Sequence, residues 1–192
     1  QSINLPYDCK DGACGSCKCK AVSGSVAHKP YQDKAMSEQE LADGYILTCR
    51  ATPQSDLVLE SRQVTHADAF PARKMPCRVT QLNKLSHDVM EVTLQLPAKA
   101  PFQFHAGQYI DFILADGQRR SYSIATAPFT LNPDTPSVQL HIRHLPGGKF
   151  TDHVFGSMKE KEILRMEGPF GSFYIHDTST GPIVFLASGT GF

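Results

Sequence analysis

Apolar and polar residues alternate most cleanly along residues 89–96, where Met90, Val92, Leu94 and Leu96 share one face and Glu91, Thr93 and Gln95 the other. A period of two predicts a half-buried strand. Val138, Leu140 and Ile142 alternate in the same way with Gln139 and His141. Residues 109–114 and 121–125 flank Asp116-Gly117, a dipeptide that favours a tight hairpin turn. A short strand is predicted at residues 163–167 and a helix over residues 151–158. Several short strands separated by turn residues point to an antiparallel barrel.

The pattern in the first third is different. Gly24-Ser25 makes a turn at the end of an extended stretch over residues 20–26. Ser37 followed three residues later by Glu40 is a capping-box signature for a short helix, and Gly44 is well placed to end it. Residues 45–49 read as a strand or strand end, and a last strand falls near residues 56–60. Short strands around one helix predict an α+β domain. Residues 62–75 are polar and mixed, with Pro71 and Pro76 nearby, and read as a linker. At the far end, residues 182–191 read as a buried strand running into a glycine turn, the way an α/β nucleotide-binding domain begins. The chain starts at Gln1, eight residues before Cys9, and stops at Phe192 just after that turn, so it reads as a fragment cut at both ends. The expected fold class is α+β and all-β. Residues 1–62 form the α+β domain, 63–75 a linker, 76–178 the antiparallel β-barrel and 179–192 the start of the nucleotide-binding domain.

Composition narrows this further. A length of 192 residues fits one large or two small domains. Nineteen basic and nineteen acidic residues exert no global pull toward nucleic acid or an anionic membrane. No apolar run is long enough to span a bilayer, and no signal peptide is visible. With free thiols in a non-secreted chain, the expected location is cytoplasmic.

The cysteines carry the first chemistry. Cys9, Cys14 and Cys17 have the spacing C-x4-C-x2-C, and Cys49 follows at a distance. That is the ligand spacing of a plant-type [2Fe–2S] cluster. Gly12, Ala13, Gly15 and Ser16 allow the tight turns that wrap thiolates around an inorganic core, with backbone N–H groups approaching the sulfurs. The competing readings are a zinc site, disulfides, or inert core cysteines. Structural zinc usually draws its thiolates from two separated close pairs, and disulfides need an oxidising compartment. A Rieske centre needs two histidine ligands, and no Cys-x-His occurs. Cys19 and Cys77 read as bystanders. Lys10, Lys18 and Lys20, around the cluster loop, read as a solvated rim more readily than as a face for an acidic partner.

The second chemistry lies in the barrel. On a strand, Arg120 and Tyr122 share one face. An Arg grips a pyrophosphate with two hydrogen bonds, a Tyr lays its ring on a flat heterocycle, and the Ser123 hydroxyl suits the same heterocycle. Gly147-Gly148-Lys149-Phe150-Thr151 opens the predicted helix, whose N-terminus favours a phosphate. Together they suit a dinucleotide with a ring and a pyrophosphate; an ordinary surface strand and glycine turn are the alternative. His141 and His144 flank Arg143 near this site and read as barrel or rim residues rather than proton donors or metal ligands. His28, His66, His87, His105, His153 and His176 show no metal spacing. No Ser/His/Asp or paired-carboxylate arrangement argues for hydrolysis.

Arg120-Ser121-Tyr122-Ser123, Gly147-Gly148-x-x-Thr151, Gly168-Pro169-Phe170-Gly171 and Gly189-Thr190-Gly191 resemble the ferredoxin–NADP reductase superfamily. With the cluster loop in front, nearly the whole chain resembles bacterial NADH-dependent reductases of oxygenase systems and the CDP-6-deoxy-Δ3,4-glucoseen reductase group, which works with a sugar dehydrase. The resemblance implies a β-grasp ferredoxin domain followed by a Greek-key FAD barrel. It implies electron transfer from NAD(P)H through FAD to a [2Fe–2S] cluster and on to a partner oxygenase or dehydrase. Cys9 and Cys14 would hold the iron nearer the surface, and Cys17 and Cys49 the inner one. Arg120 would contact the FAD pyrophosphate, Tyr122 stack on the isoalloxazine, and Ser123 lie near its reactive N5. Gly148, Lys149 and Thr151 would meet the phosphates, with Ile124, His141, Arg143 and Gly147 completing the flavin site. Gly189, Thr190 and Gly191 would begin the nicotinamide site. A ferredoxin-type carrier without flavin and a zinc-stapled structural module are the alternatives.

Overall fold

In the computed structural model, which describes residues 3–61, 64–66, 70–98, 102–175 and 181–191, the chain forms two units, Gln1–Ala69 and Phe70–Phe192. The expected linker therefore falls partly on residues outside the described ones, as do His176 and Phe192.

The first unit is built from short elements: β1 (Ile3–Asn4), β2 (Lys18–Ser23), β3 (Val26–His28), α1 (Glu38–Ala42), β4 (Tyr45–Leu47), β5 (Ala51–Pro53), β6 (Val58–Glu60) and β7 (Thr65–His66). Three antiparallel strands run in the order β4-β2-β6, with β3 paired to β5 and β1 to β7. The capping box forms: Ser37 N–H donates to Glu40 Oε2 at 2.8 Å, and Glu40 N–H donates to Ser37 Oγ at 3.2 Å. Lys18 Nζ reaches the same Glu40 carboxylate at 2.5 Å. A helix this short relies on its caps, since nucleation leaves its first N–H groups without partners. Ser37→Ala should lower the stability of this unit by about 1 kcal/mol, and Ser37→Gly by only a few tenths. Denaturant unfolding followed by far-ultraviolet circular dichroism measures both; equal losses would mean that the cap is not what holds α1.

The second unit contains β8 (Arg73–Lys84), β9 (Val89–Gln95), β10 (Tyr109–Ile113), β11 (Arg119–Ser123), β12 (Ser137–Arg143), α2 (Lys149–Gly156) and β13 (Ile163–Phe170). Its six strands run in the order β11-β10-β13-β8-β9-β12, every described pairing antiparallel. Two hairpins, β8-β9 and β10-β11, are joined through β13, the last strand, which inserts between β8 and β10; this is Greek-key connectivity. The sheet curls until its outer strands meet: Ala125 N–H donates to Gln139 O at 2.8 Å, and Gln139 N–H to Thr126 Oγ1 at 2.7 Å. Closure removes the exposed edges. The alternating residues fill the interior. Val92, Leu94, Ile110, Phe112, Val138, Leu140, Ile142 and Met166 are all buried, and α2 adds Phe150 and Val154.

Four expectations change. β8 begins at Arg73, inside the segment expected to be linker, and continues to Lys84. Met75, Cys77 and Val79 alternate inward along it, and Pro76 between them faces outward. α2 begins two residues earlier than the periodicity suggests, at Lys149. Cys49 lies in the turn after β4 rather than within the strand, which ends at Leu47. The expected strand near residues 182–188 is absent from the described residues: Val184, Phe185 and Leu186 are almost wholly exposed. A strand requires a hydrogen-bonded neighbour. No strand pairing is found along this segment among the described residues.

Candidate cofactor sites

The cysteine loop of the first unit is shaped by its backbone. Gly12 has φ +69°, and a Cβ there would meet Arg50 Cγ and Tyr31 Cβ, each at 2.8 Å. The loop is thus pressed against the segment around residue 31 and against the residue after Cys49, where no side chain fits. N–H groups of Asp11 and Ala13 point at Cys9 Sγ, each at 3.4 Å, and that of Ser16 at Cys14 Sγ at 3.5 Å. These donors favour a thiolate. Burial of Cys9 pushes its thiol up, but hydrogen bonds from Asp11, Ala13 and Cys14 outweigh that and bring it down to about 7.

The four cysteines fall into two pairs. The Cys14 side chain lies close enough to Cys9 to lower its thiol. Cys17 Sγ lies 3.3 Å from Cys49 Sγ. Thr48 holds the second pair in register, its N–H donating to Cys17 O at 3.2 Å and its hydroxyl at 3.3 Å. Cys17 is buried over Ala35, Met36 and Leu47, whereas Cys9 and Cys14 are exposed. Burial, then the neighbouring Cys17, push the Cys49 thiol up to about 11. Among the described residues no three Cys, His, Asp or Glu side chains converge on one metal position. Cys19 and Cys77 are buried; burial, and to a lesser degree the nearby Cys17, raise the Cys19 thiol, and burial alone pushes Cys77 up to about 12. The lysines nearby have local partners, Lys18 with Glu40, Lys10 over the Tyr7 ring and Lys20 over the Tyr45 ring.

In the barrel, register puts Arg120 opposite Phe112 and Tyr122 opposite Ile110. Both β11 side chains therefore share the face of two core residues. Tyr122 packs with ring centroids 5.9 Å from Phe112 and 5.4 Å from Phe150, themselves 4.6 Å apart. Burial pushes its phenol up, so it stays protonated at neutral pH. Ser123 is exposed beside it, and Ile124 is buried in the core. Arg120 donates from Nη1 to Arg119 O at 2.8 Å and from Nη2 to Gln118 Oε1 at 2.9 Å. Lys149, the first residue of α2, donates from Nζ to Asp116 Oδ2 at 2.8 Å.

Gly148 is the N-cap of α2, and no side chain caps that end. A Cβ at Gly148 would lie 2.6 Å from Thr151 Oγ1 and 2.9 Å from Leu145 O. The loop is folded too closely onto the helix to admit one, which leaves bare backbone at a site suited to an anion. Thr151, expected to face a phosphate, instead turns inward. Its buried hydroxyl donates to Leu145 O at 2.8 Å and accepts from Leu145 N–H at 3.2 Å. A buried hydroxyl needs such partners. His141 lies 3.6 Å from Glu91, and Arg143 donates to Asp88 at 2.8 Å. His144 meets Asp152 at 2.9 Å and stacks on Phe155, so loop 144–148 is tied to the helix that follows it. Gly189, Thr190 and Gly191 form a short 3-10 turn.

Sequence reasoning missed Asp111, Asp116, Gln118 and Phe150. Asp111 is buried on β10, accepting from Ser121 Oγ at 2.6 Å and Arg119 Nη1 at 3.2 Å, while Arg119 also binds Glu167. Arg119 and Ser121 alternate with Arg120 and Tyr122, so this network grips β11 from its other face. Only Asp116 carried a signal, the turn dipeptide.

Residues 76–175 match the oxidoreductase FAD-binding domain family. The chain belongs to that family. This FAD-binding protein also carries, over residues 1–54, a match to the 2Fe-2S iron-sulfur cluster binding domain. It is 39% identical over 191 residues to the CDP-6-deoxy-L-threo-D-glycero-4-hexulose-3-dehydrase reductase of Yersinia pestis, covering 100% of this chain and 56% of the relative. It is 31% identical over 190 residues to terephthalate 1,2-dioxygenase reductase component 1 of Comamonas, covering 99% of this chain and 54% of the relative. The chain thus spans about half the length of the curated relatives it matches. Among solved structures, a cytochrome P450 reductase of Amycolatopsis superposes with a TM-score of 0.71 at 29% identity, over 92% of this chain and 52% of that one. The ferredoxin reductase in carbazole 1,9a-dioxygenase superposes with a TM-score of 0.62 at 28% identity, over 93% and 53%. The FAD-binding barrel and the ferredoxin-type unit are the two parts expected from the sequence. Among the described residues no helix is long and apolar enough to cross a membrane.

Proposed function

We propose that the chain is the flavin- and cluster-bearing part of an NAD(P)H-dependent reductase that delivers single electrons to a partner protein, an oxygenase component or a sugar dehydrase. The observation that carries the reading is the joint presence of two paired thiols in a ferredoxin-type unit and an Arg-x-Tyr-Ser strand beside a glycine-opened helix in a FAD-binding barrel. Curated relatives with both parts are named as reductases of a dehydrase and of a dioxygenase. When bound, the flavin accepts an electron pair and the cluster carries one electron at a time, which is the chemistry side chains lack.

The residues then have distinct work. Cys9 with Cys14, and Cys17 with Cys49, would each hold one iron. Structural zinc usually draws its thiolates from two separated close pairs in sequence, whereas three of these cysteines share one loop and the fourth comes alone, which suits a two-iron core better. The N–H groups on Cys9 and Cys14 would stabilise the negative charge of the site. Tyr122, backed by Phe112 and Phe150, would present a fixed ring to the isoalloxazine. Arg120, Lys149 and the Gly147-Gly148 backbone would receive the pyrophosphate, with Ser123 near the reactive edge. Thr151, His141, Arg143 and His144 would position loop 144–148 through the pairs they make. Gly189, Thr190 and Gly191 would open the nicotinamide site. A first domain limit between the end of β6 and the start of β8 at Arg73, and a second near residue 178, suit this division, as does a location in the reducing cytoplasm where thiolates persist.

The test is composition followed by reductive titration. The purified protein should contain FAD, iron and acid-labile sulfide, and under anaerobic conditions should take up about three reducing equivalents, two on the flavin and one on the cluster. Zinc without iron and sulfide, or absence of flavin, would overturn the proposal.

A further inference from the structure

The two cations at the flavin-phosphate end do not stand free. Lys149 Nζ is held by Asp116 Oδ2 at 2.8 Å, and Arg120 Nη2 by Gln118 Oε1 at 2.9 Å. Both acceptors sit on one tight turn between β10 and β11, locked by Gln118 N–H donating to Asp116 Oδ1 at 3.0 Å. Lys149 is distant in sequence from this turn, so the pairing is a tertiary contact. The hydrogen bond from Lys149, then that from Gln118 N–H, hold the Asp116 carboxyl below its usual range, so it is charged at neutral pH. The phosphate site therefore carries two positive charges and one fixed negative charge.

That balance treats two flavin nucleotides differently. A terminal phosphate monoester carries about two negative charges at neutral pH. Each phosphate of a dinucleotide pyrophosphate ionises once, so the same charge is spread over two groups. A carboxylate 2.8 Å from the lysine repels the concentrated charge more than the divided one. We propose that Asp116 is a specificity-determining residue that biases this site toward the dinucleotide FAD and against the mononucleotide FMN. The inference rests on the reading above that Arg120 and Lys149 receive the flavin phosphates.

The experiment titrates flavin-free full chain separately with FAD and FMN, following quenching of flavin fluorescence. Asp116→Asn keeps one oxygen to accept from Gln118 N–H and removes the charge together with the acceptor that Lys149 uses. Because the pair is partly exposed, FMN affinity should rise roughly two- to fivefold at low salt, with a smaller rise for FAD. Asp116→Lys should move the ratio further in the same direction, and added salt should shrink both effects. Equal changes for the two flavins, a larger gain for FAD, or no measurable FMN binding by either variant would overturn the inference. Arg120→Ala separates the two levels of argument. If it weakens both flavins while Asp116→Asn leaves their ratio unchanged, only the role of Asp116 fails. If Arg120→Ala changes neither affinity, the flavin site itself has been misread.

Discussion

Cys49→Ser should abolish the visible absorption of the iron–sulfur cluster while leaving the flavin bound. The loss should be near complete, because the geometry offers no substitute ligand. Cys49 Sγ sits 3.3 Å from Cys17 Sγ on a turn fastened by both donors of Thr48. A hydroxyl there is a harder, less acidic ligand than a thiolate and is poorly matched to iron in a sulfide core. Cys19 is buried, and burial raises its thiol, so it has no ready thiolate to offer. Cys19→Ala and Cys77→Ala should accordingly keep the cluster spectrum. Flavin should persist in Cys49→Ser because the barrel has a core of its own, drawn wholly from residues 75–166. Visible circular dichroism reads the cluster, and fluorescence of flavin released by denaturation reads the second cofactor. An unaltered cluster spectrum in Cys49→Ser would remove this residue from the ligand set and with it the pairing on which the two-iron reading depends.

What the sequence disclosed depends on how local the signal was. The alternation at Val92 and Leu94, and at Val138, Leu140 and Ile142, is a property of consecutive residues, and those strands form where expected. The Ser37–Glu40 box and the Asp116-Gly117 turn are also local, and both form. β8 was hidden because Pro76 interrupts its inward series of Met75, Cys77 and Val79, and its later residues are mostly exposed and polar. Proline removes a ladder donor, so its presence argues against a strand until the pairing with β13 is seen. Residues 183–186 mislead the other way. Their apolar run suits a buried strand, but burial depends on neighbours that no local pattern reports. The cysteine spacing predicted a shared site; its division into Cys9 with Cys14 and Cys17 with Cys49 came only with the resemblance, because contact between Cys17 and Cys49 depends on how the turn after β4 returns to Cys17. At the flavin site, Arg120 and Tyr122 were legible from strand periodicity. Asp116, which holds Lys149, and the Phe150 ring behind Tyr122 are reached through tertiary contacts and were not; Gln118, which holds Arg120 from two residues away, carried no pattern of its own.

Tyr122→Ala should weaken FAD binding about 10- to 100-fold, since a stacked aromatic contributes roughly 1–3 kcal/mol per heterocycle. The substitution acts twice. It removes the ring facing the flavin, and it leaves Phe112 and Phe150 without the partner they pack against at 5.9 and 5.4 Å. A general loss of barrel stability would also release flavin, so the two causes must be separated. Tyr122→Phe does so, because it keeps the ring and its packing and deletes only the hydroxyl. If stacking is what binds the flavin, Tyr122→Phe should retain affinity within a few-fold and shift the flavin absorption only slightly. Tyr122→Leu should preserve most of the apolar volume yet lose the aromatic face, and should bind FAD nearly as weakly as Tyr122→Ala. Thermal unfolding of the flavin-free forms supplies the control. Wild-type affinity in Tyr122→Leu, with an unchanged flavin spectrum and potential, would mean that the ring serves the core of the barrel and not the isoalloxazine.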